Sequence, residues 1–218
     1  MQRKQSLSDG HIYHIFNRSI AGYTIFPSRQ HYERFQKMIC FYQFSDLENK
    51  FSEIGTPELL RSTISSLSEN AKYCVDVLAY CLMPNHCHLI LKQNESNGIS
   101  NFMRNVQNSY SHFFNIRHNR QGPLWAGKFK NVLCESNEQL LHLSRYIHLN
   151  PVTAHLTDKP ENWAATSFHE YTSIDKTTES FCHFQKHIGI SPQKYLDFVT
   201  NHIEEQRNLA MIKHLLFD

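Results

Sequence analysis

The chain has 218 residues, of which 40% are hydrophobic and 19% charged, with seven glycines and seven prolines. This composition excludes collagen-like, low-complexity and wholly disordered chains, and the length suits one generous domain or a domain with an appendage. Twenty-two basic against twenty acidic residues leave a net charge of only +2, so the global charge names no partner. No apolar run approaches the ~20 residues of a membrane-spanning helix, and no apolar stretch follows the charged opening MQRKQSLSDG. The expected compartment is the cytoplasm, away from membranes.

In chain order, His11 to Arg18 alternates Ile12, His14 and Phe16 with Tyr13, Ile15 and Asn17, which predicts a strand. Pro27 and Ser28 precede a helical pattern containing Phe35, Met38, Ile39 and Tyr42. Residues 45–70 are polar and irregular, a variable excursion with room for a short helix after Thr56-Pro57. Cys74 to Leu82 and His86 to Leu91 read as two strands of a hairpin, broken at Met83-Pro84-Asn85. From Ser100, a candidate cap, to about His118, the spacing of Phe102, Met103, Val106, Tyr110, Phe113 and Phe114 predicts a helix that ends before Gly122-Pro123. Lys128 to Cys134 alternates as a strand. Ser136 opens a helix carrying Leu140, Leu141, Leu143, Tyr146 and Ile147, which Asn150-Pro151 is expected to stop.

Strand, helix, strand, strand, helix, strand, helix is an α+β order, and predicts a ferredoxin-like antiparallel sheet with helices packed on it. Trp163 to Tyr171 reads as a turn and short helix. Ser191-Pro192 opens a helix through Phe198, with a continuation toward Leu216. The organisation is therefore a domain over residues 1–175 and a helical C-terminal extension over 176–218.

Charge is unevenly spread. Between Glu95 and Glu135 there is no carboxylate, while Arg104, Arg117, Arg120, Lys128 and Lys130 are all present. That pattern suits a polyanion, or simply wet helix faces. The six cysteines form no C-x-x-C pair and read as buried thiols in a reducing compartment. Among fifteen histidines, His86 and His88 stand out. Residues two apart on a strand share a face, so both imidazoles can hold one cation with open coordination. The competing readings are a chance pair in a His-rich chain and a zinc site with Cys81 and Cys87; Cys87 should point to the other face. Cys182, His183 and His187 make a thinner zinc candidate that a helix face explains equally well.

Tyr110 sits mid-helix among Asn105, Gln107, Asn108, Ser109, Ser111 and His112. It is a core residue or a nucleophile. A phenol of pKa ~10 needs help to attack phosphorus at neutral pH, and a cation on His86 and His88 would supply it. GPLWAGKFK, residues 122–130, mixes Trp125 and Phe129 with Lys128 and Lys130. It suits stacked bases and paired phosphates, or a glycine turn entering a half-buried strand.

LAYCLMPNHCHLIL, the helix around NSYSHFFN, GPLWAGKFK and SRYIHLNPV, in that order, resemble the REP-associated tyrosine transposases, relatives of the single-tyrosine HUH transposases. The opening HIYHIFNRSIAGYTIF and HYERF extend the resemblance over roughly residues 11 to 171. It implies a ferredoxin-like core and the nicking and rejoining of single-stranded or hairpin DNA, with palindromic repeats as substrate, Mg²⁺ or Mn²⁺ as cofactor and a homodimer in some relatives. His86 and His88 match the HUH pair, and Tyr110 is taken as the match to the nucleophile that forms a 5′-phosphotyrosine. Some relatives carry a Gln one helical turn after the tyrosine as a third ligand. Phe114 stands there, and Asn115 is the substitute.

The expected DNA contacts are Arg18, Arg117, Arg120, Trp125, Lys128 and Lys130. Two other functions are open: a domesticated hairpin-binding protein without turnover, and a zinc-structured interaction protein.

Overall fold

The computed structural model describes residues 6–54, 56–69, 72–173 and 180–209. Four strands, β1 (Ile12–Arg18), β2 (Val75–Met83), β3 (His86–Gln93) and β4 (Lys130–Cys134), form one sheet in the order β2-β3-β1-β4. Every neighbouring pair is antiparallel. This is the ferredoxin-like α+β arrangement that the order of elements predicts. Helices α1 (Arg29–Tyr42) and α3 (Gly98–Arg117) pack against each other. Helix α4 (Asn137–Thr153) lies against β2 and β4.

Alternation decides what each face of the sheet meets. On β1, Tyr13, Ile15 and Asn17 are buried, while His14 and Phe16 are half-buried. On β3, Cys87, Leu89 and Leu91 are fully buried beside half-buried His86 and His88. Tyr80 pairs with Leu89, and its hydroxyl accepts from Nε2 of Gln36 on α1, 3.1 Å away. The Leu89 side of the sheet therefore faces α1, and the histidine side faces away from it.

The helix boundaries follow their local chemistry. Ahead of α3 stands Asn97 in the left-handed region (φ 62°), not Ser100, so the expected cap is displaced by three residues. Gly98 opens that helix because its backbone passes so close to Cys74 that a Cβ there would lie 2.2 Å from the carbonyl oxygen. At α4, Ser136 caps as expected, its Oγ accepting from the Gln139 N–H at 3.1 Å. Pro151 does not stop α4, which runs on to Thr153. Proline withholds only the N–H that would reach Ile147, and burial of Leu149, Pro151 and Val152 offsets the missing bond.

Within the 45–70 excursion, helix α2 (Pro57–Glu69) is longer than the short helix expected there. Thr56 Oγ1 accepts from the Leu59 N–H, which realises the predicted cap. The C-terminal segment packs onto α4 through short α5 (Phe168–Thr172) and α6 (Pro192–Thr200). Buried His148 of α4 bonds Tyr195 Oη through Nδ1 (2.7 Å) and Ser167 Oγ through Nε2 (2.8 Å). Tyr195 Oη in turn donates to Ser144 Oγ at 2.9 Å. Further on, Gln206 Nε2 donates to the Tyr146 carbonyl at 3.0 Å. The end of the expected continuation toward Leu216 lies outside the described residues.

Candidate active site

The register builds a row across the histidine face. Phe16 pairs with His88 on one side and Lys130 on the other, and Arg18 pairs with His86. These residues, with Asn17, Ala126 and Lys128, line a cleft of about 540 Å³. Lys128 lies outside the strand expected for it and is delivered by the preceding loop. Ala126 N–H donates to the Arg18 carbonyl at 2.9 Å, and Asn17 Nδ2 donates to the Gly127 carbonyl at 3.0 Å. Gly127 has φ 141°, a conformation open to glycine, so the loop can lie across the end of β1.

Both histidines of the pair are oriented from behind. The Nδ1 of His86 bonds Asn85 Oδ1 at 2.6 Å, and that of His88 contacts Nε2 of His14 at 2.9 Å. The His86 and His88 rings stand edge to face, 5.1 Å between centroids. Burial, reinforced by the Arg18 charge, lowers the pKa of His86, and burial lowers that of His14 to about 4. Neutral imidazoles are the form that binds a cation. Among the described residues no group of three or more His, Cys, Asp or Glu side chains could hold a metal ion. The pair offers two imidazoles, a set that would suit a divalent ion completing its shell with water and phosphate oxygens. Cys87 is fully buried on the opposite face, so it cannot join His86 and His88 around one zinc ion.

The structure places Tyr110 away from the histidine pair. Tyr110 is 0% exposed, and its hydroxyl donates to the Ile25 carbonyl at 2.6 Å. Its ring packs on Phe26 and Phe35, with centroids 5.1 and 5.0 Å away. Desolvation raises its pKa far above the usual phenol range. It belongs to α3, which packs on α1 beneath the other side of the sheet from His86 and His88. The assignment of Tyr110 as the attacking residue is therefore corrected: the polar residues flanking it in sequence lie on other faces of α3.

The tyrosine that meets the histidine face is Tyr146 of α4, which touches His88 without itself lining the cleft. It is 39% exposed, and its ring stands edge-on to His88 (6.2 Å between centroids, 87°) and to His14 (6.4 Å, 79°). Partial burial raises its pKa, so it rests as the neutral phenol. The signal was present in SRYIHLNPV, a segment singled out as a motif with no chemical role given to its tyrosine.

Other expected residues also serve the scaffold. Asn115 donates to the Gly122 carbonyl through Nδ2 and accepts from Arg120 through Oδ1, each at 3.0 Å, so it closes a loop and lines no part of the cleft. Phe114, one helical turn after Tyr110, is buried. Arg120 further donates to the Pro123 carbonyl at 2.8 Å. Half-buried Trp125 donates to the Gln107 carbonyl at 3.4 Å and packs near Phe35. Arg117 bonds Gln30 and lines a separate groove between α1 and α3. Arg18, Lys128 and Lys130 are the basic residues that line the cleft.

Residues 49–150 match the family model described as IS200-like transposase, a span that includes His86, His88 and both tyrosines. No curated protein matches the chain. Among solved structures, a REP-associated tyrosine transposase bound to a REP hairpin is similar at 13% identity and a TM-score of 0.53, covering 84% of this chain and 97% of that one. A Deinococcus radiodurans R1 protein assigned as a transposase is similar at 12% identity and a TM-score of 0.37, covering 67% and 95%. Over residues 49–150 the chain is similar to the IS200-like transposases. Its resemblance to the REP-associated tyrosine transposases, first carried by sequence motifs, extends to the fold.

Proposed function

We propose that the protein is a divalent-metal-dependent enzyme that nicks and rejoins single-stranded DNA at hairpins, with Tyr146 as its nucleophile. The observation that carries this reading is the stance of the Tyr146 ring against the His14 and His88 rings, His88 being shared with a cleft that Arg18, Lys128 and Lys130 also line. The REP-hairpin complex of the structurally similar protein adds support for a hairpin substrate.

In this reading Arg18, Lys128 and Lys130 pair with DNA phosphates and lay the strand across the sheet. His86 and His88 would hold Mg²⁺ or Mn²⁺ through Nε2. Such an ion would supply positive charge where the scissile phosphate and the departing oxygen gain negative charge. Tyr146 gives up its phenol proton and its Oη attacks phosphorus. The P–O3′ bond breaks, and a proton ends on the departing O3′. The products are a 5′-phosphotyrosine and a free 3′-hydroxyl. Attack by a 3′-hydroxyl on that phosphotyrosine restores Tyr146 and rejoins the strand, with no external energy source.

The test is incubation of the purified protein with a panel of hairpin oligonucleotides carrying single-stranded flanks. The expected result is a Mg²⁺- or Mn²⁺-dependent covalent complex with release of a 3′-hydroxyl fragment, abolished by chelator. Salt-dependent hairpin binding with no covalent product across the panel contradicts the enzymatic reading and supports a binding protein without turnover.

A further inference from the structure

His86 and His88 each make a hydrogen bond at Nδ1, but the two bonds differ in what they dictate. Behind His86 the partner is Asn85 Oδ1 at 2.6 Å. The amide of Asn85 is oriented by its nitrogen, which donates to the Gly22 carbonyl at 3.3 Å. An amide oxygen only accepts, so Nδ1 of His86 carries the proton and Nε2 carries the lone pair. Behind His88 the partner is Nε2 of His14 at 2.9 Å, and two imidazole nitrogens can share one hydrogen in either sense. If His14 donates, the proton of His88 sits at Nε2 and that nitrogen cannot bind a cation. If His14 accepts, His88 matches His86.

We propose that His14 is a positioning residue for His88: its Nε2 accepts the Nδ1–H of His88, so both histidines of the pair present an unprotonated Nε2 to a divalent cation. The inference rests on the metal-ligand reading of His86 and His88 given above and adds to it the residue that selects the tautomer.

Three observations support it. The His14 and His88 rings are nearly parallel, 20° apart with centroids at 5.1 Å, so the bond also fixes the plane of the ligand ring. A metal-bound histidine ordinarily donates its second N–H, most often to a carboxylate or carbonyl. Among the described residues no acidic side chain lines this cleft, and a neutral imidazole does that work without placing a negative charge beside an anionic strand. Finally, Tyr146 stands edge-on to both rings of the His14–His88 pair, so the pair sets the surface against which the attacking phenol rests.

The tautomer is read directly from two-bond ¹H–¹⁵N correlation spectra of the ¹⁵N-labelled full chain without metal. Mn²⁺ affinity is read by electron paramagnetic resonance titration of the parent, His14→Gln and His14→Phe. The expected result is His88 protonated at Nδ1 in the parent. Replacement by Phe, which keeps a ring but accepts nothing, should weaken Mn²⁺ binding by about tenfold or more. Replacement by Gln, whose amide oxygen can accept, should recover most of that loss. Nε2–H at His88 in a parent that binds Mn²⁺, or parental Mn²⁺ affinity in the Phe variant, overturns the role of His14 alone. Nδ1–H at His88 in a protein that binds no Mn²⁺ overturns the metal reading and with it the purpose assigned to His14. Should the Phe variant fail to fold, the parent spectrum and the Gln variant still decide.

Discussion

The ring of Tyr146 meets that of His88 edge-on at 87°, with 6.2 Å between centroids, although 58 positions separate the two residues in sequence. One belongs to a central strand and the other to the helix that follows the last strand. Their meeting places Tyr146 on the histidine face of the sheet, whereas Tyr110 is sealed beneath the opposite face.

Tyr110 should matter for stability and not for chemistry. Its hydroxyl is sealed against the Ile25 carbonyl, so Tyr110→Phe leaves a buried acceptor without that donor, at a cost of about 1–3 kcal/mol. Tyr146→Phe removes a partly exposed hydroxyl and should stay within about 0.5 kcal/mol of the parent. Urea unfolding of the two variants checks both values. A larger loss at Tyr146 than at Tyr110 reverses the structural assignment.

The basic residues divide by location. Charge reversal at Lys128 or Arg18, which line the cleft, should weaken hairpin binding and flatten its salt dependence by about one unit of slope. Arg117→Glu, on the groove between α1 and α3, should leave both nearly unchanged. Fluorescence anisotropy at three salt concentrations separates these outcomes. Equal effects at Arg117 and Lys128 would place the DNA path elsewhere.

Acid should loosen the fold through its buried imidazoles. Burial lowers the pKa of His148 to about 3 and that of His14 to about 4, while both sit near 6.5 in the unfolded chain. The unfolded state therefore takes up protons first as the pH falls below 6.5. Stability is full above that value and falls through the window from 6.5 to about 4, by at most about 1.4 kcal/mol per pH unit for each group. Unfolding free energy measured at pH 7 and pH 5 should show this loss, and His148→Gln should make it shallower. An unchanged slope in that variant removes His148 as a source.

The C-terminal helix should support α4. Tyr195→Phe deletes the hydroxyl shared by His148 and Ser144 and should cost about 1–3 kcal/mol, read as a fall in Tm. Because Gln206 also bonds the Tyr146 carbonyl, Gln206→Ala should slow adduct formation more than it lowers hairpin affinity. Equal losses in rate and affinity would argue against a role specific to Tyr146.

Strand alternation made most of this architecture legible. HIYHIFNR and HCHLIL each divide into one apolar side and one side bearing imidazoles, and the sheet uses both as read. The same alternation bears on Tyr110. Cys87, Leu89 and Leu91 mark the side that α1 and α3 must cover, so His86 and His88 face away from those helices, and a helix beyond β4 is the one that reaches them. Tyr110 attracted attention through polar neighbours in sequence, but in a helix residues one and two apart point to different faces. Pro151 misled for a different reason. Its ring forbids one backbone bond and not a helix, and the apolar residues around it keep α4 intact past that point. His14 could not be singled out at all, since its value lies in a contact with a residue 74 positions away.

The most direct measurement is to trap the protein–DNA adduct on a hairpin oligonucleotide in Mn²⁺, digest it with protease and nuclease, and find the nucleotide-bearing peptide by mass spectrometry. The account predicts a phosphodiester on the peptide containing Tyr146, and no adduct from Tyr146→Phe while Tyr110→Phe still forms one. A modified Tyr110 peptide, or an undiminished adduct from Tyr146→Phe, would contradict it.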